Sequence, residues 1–163
     1  MRKKPVYFGM FTALALIFSY VESLIPFHIG IPGVKLGLAN LVIVIVLYKA
    51  DFRFACLLSI TRIILAGLMF GSLFSIIYSL AGGMLSLAVM QSLKYRSDLS
   101  VIGISIAGAV FHNAGQLAAA MLVTESLSLL YYTPFLLTAG LITGIVIGAA
   151  ANEMLKRLVH IKF

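Results

Sequence analysis

Charged side chains are scarce in this sequence: they make up 10% of the 163 residues, whereas hydrophobic residues make up 62%. The mean hydropathy is +1.12. A soluble globule needs more polar surface than such a composition can supply. The scarcity of charge therefore argues against a soluble domain and indicates an integral membrane protein.

Cysteine and the common catalytic motifs are almost absent as well. The single cysteine, Cys56, excludes an intrachain disulfide and a cysteine metal centre. No GxxxxGK[ST], GxSxG or HExxH motif occurs, so the chain does not hydrolyse ATP in a P-loop by itself. The five acidic residues are scattered and form no carboxylate pair for magnesium-dependent diphosphate chemistry. We expect no enzymatic activity from this chain alone, and no metal or cofactor.

What the sequence has instead is six apolar runs, several close to the roughly 20 residues that a helix needs to cross a bilayer. The predicted spans are residues 6–25, 36–48, 54–70, 73–93, 101–124 and 134–155. The second is short, which indicates a displaced helix or one that follows an ordered turn. The runs are continuously apolar, without the alternation of a β-barrel strand. We therefore predict one all-α domain over residues 1–163, a compact bundle of six transmembrane helices.

Basic residues would lie almost entirely on one side of this topology. Ten of the twelve flank the termini or the second and fourth connections, whereas Lys35 lies on the other side and Arg62 within a span. Lysine and arginine in short loops mark the cytoplasmic side. We expect a multi-pass protein of a bacterial plasma membrane with both termini cytoplasmic. The net charge of +7 then reflects topology, and no nucleic-acid partner is implied.

Polar residues in and beside the predicted spans gather between the membrane midplane and the outer face. They are Glu22, Lys35, Asn40, Arg62, His112, Asn113 and Gln116. The last three lie three and four residues apart, so they can share one helical sector. An arginine fork suits a carboxylate, phosphate or enolate oxygen. This cluster predicts a substrate-binding site that is reached from outside.

Each of these residues also has a structural interpretation. Arg62 can serve only as the partner of Glu22, because intramembrane charges are usually paired. Asparagine and glutamine often join helices by hydrogen bonds, and a metal site at His112 lacks further ligands nearby. Lys35 follows the Pro- and Gly-rich stretch "PFHIGIPGV", where it is either an ordinary solvated loop residue or part of a lid.

Small residues recur four apart in three spans. They are Gly140, Gly144 and Gly148 in the sixth span, Gly9 and Ala13 in the first, and Gly67 and Gly71 in the third. This spacing lets helix backbones approach closely. One interpretation is packing within the bundle, and the other is a docking surface for a second membrane protein. We assign the stripes of the first and sixth spans to partner docking.

Two segments, "PGVKLGLANL" and "FHNAGQ", carry a resemblance to a known family. From about residue 5 to 157 the chain resembles the bacterial membrane proteins labelled heptaprenyl diphosphate synthase component I, also called the Gx transporter family. These in turn look like the substrate-binding S components of energy-coupling factor (ECF) vitamin transporters. The resemblance implies a ligand held near the outer face under a first-loop lid. It also implies docking through Gly9 and Ala13 to a membrane coupling protein that works with two cytosolic ATPases.

Two functions are compatible with these observations. In the first, the chain is an S component that captures a small vitamin-like or quinone- or isoprenoid-related anionic solute from the outer face. In the second, it is a non-catalytic membrane subunit that tethers an isoprenoid, quinone or redox enzyme. The synthase label conflicts with the absence of aspartate-rich motifs, so we take it as a hint about the substrate. Stabilisation by a specific small molecule would separate the two.

Overall fold

The computed structural model describes residues 4–24 and 37–158. The helices in these ranges are α1 (Lys4–Leu24), α2 (Leu38–Lys49), α3 (Phe52–Phe70), α4 (Leu73–Arg96), α5 (Val101–Thr124), a short 3-10 helix (Leu127–Tyr132) and α6 (Thr133–Arg157). No strand occurs within these two ranges. The prediction of an all-α bundle of six helices is confirmed.

Five of the described helices are long and apolar enough to cross a membrane, and the shorter α2 is the exception. The sequence predicted α5 with its observed bounds, and α4 extends to Arg96, beyond the predicted end at residue 93. The chain is therefore a multi-pass membrane protein embedded in a lipid bilayer.

The short helix α2 lies in the middle of the bundle. Residues 41–47 are all buried, and α2 packs against α1, α3 and α6. A helix that is apolar on every side is stable only when it is covered on every side, and the sequence "LVIVIVL" meets this condition. With only 12 residues, α2 is too short to cross a bilayer by itself.

The helices α4, α5 and α6 form the most closely packed part of the bundle, and glycine makes this packing possible. A Cβ atom on Gly144 would lie 2.6 Å from Cα of Ile106, and one on Gly148 would lie 2.8 Å from Cα of Ile102. The stripe of Gly140, Gly144 and Gly148 is buried against α5. Our assignment of this stripe to partner docking is therefore wrong, because α5 of the same chain already covers it.

The stripe of α1 has the opposite surroundings. Gly9 and Ala13 are exposed, and no atom of another described helix lies within 4 Å of the position that a Cβ on Gly9 would take. The large side chains of Val6, Met10 and Ile17 on the same helix are exposed as well. Within the described residues, this face of α1 has no covering helix.

One end of the bundle is closed by lysine side chains, and we call it the basic end. Lys94 Nζ donates to the Leu47 carbonyl at 2.7 Å, and Lys49 Nζ donates to the Leu158 carbonyl at 2.6 Å. A lysine beside the last carbonyls of a helix satisfies unpaired acceptors and complements the helix dipole. Lys4 also pairs with Asp51 at this end, at 3.3 Å.

Candidate ligand-binding site

Six of the seven predicted site residues line one small cavity in the interior of the bundle. They are Glu22, Asn40, Arg62, His112, Asn113 and Gln116. The seventh, Lys35, lies outside the described residues. The cavity has a volume of about 50 Å³, and we call it the central cavity. It borders the start of α2, so along this helix it lies about 14 Å from the basic end, from the rise per residue.

Arg62 provides the positive charge of the central cavity. Its Nη2 atom donates a hydrogen bond to Oδ1 of Asn40 at 2.6 Å, which joins α3 to the first turn of α2. Its Nε atom is buried and has no hydrogen-bond partner among the described residues. The side chain is therefore fixed in place and retains an N–H group that can donate a hydrogen bond to a further oxygen atom.

Glu22 provides the matching negative charge and positions α2. Its carboxylate interacts electrostatically with Arg62, and its Oε1 atom accepts the backbone N–H of Gly37 at 2.5 Å. Gly37 precedes α2 with φ 75°, a left-handed conformation that glycine adopts without strain. The amino end of α2 is thereby held beside the cavity, where its dipole adds a partial positive charge.

The residues that α5 contributes depend on how closely α5 approaches α4. A Cβ atom on Gly82 would lie 2.5 Å from the His112 carbonyl and 2.7 Å from Cγ of Gln116, so only glycine leaves room for this stretch of α5. Asn113 lines the cavity and also donates to the Leu136 carbonyl of α6 at 2.8 Å. The structural interpretation, a hydrogen bond between helices, therefore applies to Asn113 alongside its place at the cavity.

Two larger cavities flank the central one. The first, of about 310 Å³, lies among α1, α3 and α4 and includes Glu22 and Arg62 in its walls; we call it the polar cavity. The second, of about 470 Å³, lies among α4, α5, the 3-10 helix and α6, and includes Asn113 and Gln116; we call it the apolar cavity. Ser79 lines all three cavities.

Sequence reasoning missed the serine and threonine residues of these walls. Ser72, the N-cap of α4, and Ser75 and Ser79 in its apolar first half lie three and four residues apart, and this period is the signal that could have located them. Thr143 of α6 lines the central cavity, but its hydroxyl bonds back to the Ala139 carbonyl at 2.9 Å. Of these overlooked serines, Ser79 is the one that all three cavities share.

The groups at this site are suited to binding a ligand. One guanidinium, one carboxylate, amide groups and hydroxyl groups surround a space that fits a small charged or polar group. Within the described residues, no group of three or more His, Cys, Asp or Glu side chains could hold a metal ion.

Comparison with known proteins identifies a family. The model of the family described as "Heptaprenyl diphosphate synthase component I" matches residues 11–154, which is most of the chain. No curated protein matches the chain, and no solved structure does either.

Proposed function

The chain belongs to the heptaprenyl diphosphate synthase component I family, and we propose that it is the solute-binding membrane subunit of an ECF-type importer. In this proposal it captures a small anionic solute, vitamin-like or related to quinones or isoprenoids, from the outer face of a bacterial plasma membrane. The observation that carries the proposal is Arg62, which is anchored by Asn40 and whose buried Nε donor at the cavity has no partner in the part of the chain that the structure describes.

An anion is the ligand that this arrangement favours. A carboxylate or phosphate can accept from Nε and from a terminal nitrogen of one arginine at the same time, which gives strong and directional bonds. The amino end of α2, held by Glu22 and Gly37, contributes a second positive potential in the same place. Lys35, which precedes the described start of α2, is the additional cation in this proposal.

The exposed face of α1 supports a membrane partner. Small residues such as Gly9 and Ala13 let a second helix approach closely within a bilayer, where the hydrophobic effect gives no drive for association. We assign this face to the membrane coupling protein of an importer. With both termini in the cytoplasm, as proposed, the two cytosolic ATPases would meet the basic end.

A second candidate is favoured by the name of the family, which describes a component of a synthase. In that case the chain would be a non-catalytic membrane subunit that tethers or assists an isoprenoid, quinone or redox enzyme. The same exposed face of α1 would then dock the enzyme, and the interaction of Arg62 with Glu22 would be structural.

Native mass spectrometry of the protein purified from its own membranes in mild detergent tests the first proposal. We expect a retained small molecule of defined mass, and its loss in Arg62→Gln. Arg53→Gln is the matched control, because Arg53 is exposed on α3 away from the central cavity. We expect Arg62→Lys, which keeps the charge but not the planar fork, to retain the ligand only partly.

Two outcomes would contradict solute capture. One is equal occupancy of the ligand in wild type and a folded Arg62→Gln variant. The other is a wild-type protein without ligand that copurifies with a prenyl-transfer or redox enzyme, which would support the tethering subunit instead. Folding of each variant is checked by its thermal unfolding midpoint.

A further inference from the structure

We infer that the ligand is an amphiphile whose anionic head lies at Arg62 and whose apolar tail lies in the apolar cavity. The inference rests on the proposed function, because it takes the central cavity as the site of the head. It adds the chemical class of the molecule and the path of its tail through the bundle.

The size of the central cavity requires the ligand to extend beyond it. A volume of about 50 Å³ accommodates a headgroup, whereas ligand sites usually measure about 300–1,000 Å³. The two flanking cavities provide that volume, about 310 Å³ in the polar cavity and about 470 Å³ in the apolar cavity. Among the described residues, these are the two larger spaces into which a ligand bound at Arg62 can continue.

The walls of the two flanking cavities differ in kind. The polar cavity is lined by Ser19, Ser23 and Ser75 in addition to the charges of Glu22 and Arg62. A tail placed there would remove the charged groups of Glu22 and Arg62 from water, which is unfavourable. Serines line the apolar cavity too, but most of its wall is apolar, with contributions from Phe74, Leu117, Ala120, Leu129 and Leu136. A hydrocarbon tail placed there would contact no charged side chain of the described residues.

The apolar cavity is also adjacent to the site of the head. Ser79, Asn113 and Gln116 line both the central and the apolar cavity, so the two cavities meet at these side chains. Their amide and hydroxyl groups lie where the central and the apolar cavity meet. A polar group at the end of the head can bond to these amide and hydroxyl groups, and the tail lies beyond them in the apolar cavity.

A series of alkyl phosphates and alkyl carboxylates tests the inference. The ethyl, butyl, hexyl and octyl members are titrated against the protein in lipid nanodiscs, and partition into empty nanodiscs is subtracted. We expect affinity to rise by up to about fourfold for each added methylene until the cavity is filled, from the transfer free energy of a CH2 group. Comparison of the two series shows which headgroup Arg62 prefers.

A matched pair of substitutions assigns the tail to one cavity. Ala120 and Ala66 are both half-buried alanines, and they line the apolar and the polar cavity respectively. We expect Ala120→Phe to lower the affinity for the octyl probe at least tenfold and to leave the ethyl probe unchanged. We expect Ala66→Phe to leave the ratio of octyl to ethyl affinity unchanged. Ala120→Leu, a smaller enlargement, replaces Ala120→Phe if that variant does not fold.

The outcomes distinguish a failure of this inference from a failure of the proposed function on which it rests. Binding that requires Arg62 but does not depend on tail length overturns the amphiphile and leaves solute capture in place. Loss of the tail preference in Ala66→Phe instead of Ala120→Phe overturns the assigned path. A phospholipid retained equally by wild type and Arg62→Gln shows that the apolar cavity holds a membrane lipid, which also overturns the inference. If the retained native ligand is Arg62-independent, the proposed function itself fails.

Discussion

The stripes of small residues in α6 and α1 have the same spacing and opposite surroundings. Gly140, Gly144 and Gly148 lie against the backbone of α5, whereas Gly9 of α1 has no neighbour within 4 Å of its Cβ position. Small residues spaced four apart show that another helix can pack closely against this one, but they do not identify that helix. The covered stripe holds the bundle together, and the uncovered stripe is available to another protein.

The largest effect expected from this comparison is on stability. Gly144→Leu would place a side chain where Cα of Ile106 leaves only 2.6 Å for a Cβ, so α5 and α6 must separate. We expect the free energy of unfolding to fall by about 3 kcal/mol or more, the upper range for overpacking. Gly9→Leu is the matched substitution on the open stripe, and we expect it to cause no such loss. Thermal unfolding in nanodiscs measures both.

Equal midpoints for the two leucine variants would show that the packing of α6 against α5 is not what the structure describes. A large loss of stability in Gly9→Leu alone would mean that the stripe of α1, and not that of α6, is covered within the chain. Either result would make the stripe of α6 a candidate docking surface again.

A smaller effect is expected at the crossing of α4 and α5. We expect Gly82→Ala to cost about 1–3 kcal/mol, because a Cβ there would lie 2.5 Å from the His112 carbonyl, a backbone atom that cannot rotate away. Gly103→Ala is the control, since its nearest neighbour beyond the helix backbone would be 3.5 Å away. Chemical denaturation in mixed micelles gives the difference in stability.

Gly82→Ala should also lower ligand retention, because it displaces the stretch of α5 that carries His112 and Gln116. Native mass spectrometry of the same two variants checks this expectation. If Gly82→Ala is as stable and as well occupied as Gly103→Ala, the close approach of α4 and α5 does not shape the site.

Much of this architecture could be predicted from the sequence, because the bilayer restricts what an apolar run can form. Spans near 20 residues gave the number and order of the helices, and isolated polar residues such as Arg62 and Gln116 stood out against them. Six of the predicted site residues meet at one cavity for this reason: polar groups within a membrane are stable when they gather away from lipid. That they bind a ligand stays a prediction.

Other features could not be predicted from one sequence. The central position of α2 and the opposite surroundings of the two stripes depend on which helix faces which, and a periodic pattern does not name the partner. Serines at the cavity were missed because serine in a helix often bonds back to its own backbone, as Ser19 does to the Ala15 carbonyl at 2.9 Å. Such a residue gives no clear signal of function.

The comparison between the stripes also predicts which substitution weakens the binding of a membrane partner. We expect Ala13→Leu to reduce copurification of the membrane partner at least about tenfold, the effect of a mismatch of about 1.4 kcal/mol. Ala118→Leu is the matched control, since Ala118 is equally an exposed alanine, on α5. Both variants should unfold at the wild-type temperature. Equal copurification of the partner by the two variants would exclude the α1 face as the docking surface.

The smallest expected effect has the opposite sign. Gly9→Ala should stabilise the isolated subunit by about 0.5–1 kcal/mol, because alanine loses less backbone freedom in a helix and the space beside Gly9 is open. Reversible unfolding of the purified chain without partner measures it, with Gly148→Ala as the destabilising counterpart. A gain would mean that Gly9 lowers the stability of the purified chain and that the space beside it is open, as docking of a partner would require. A loss would mean that α1 is already covered within the chain, and the docking face would have to be sought elsewhere.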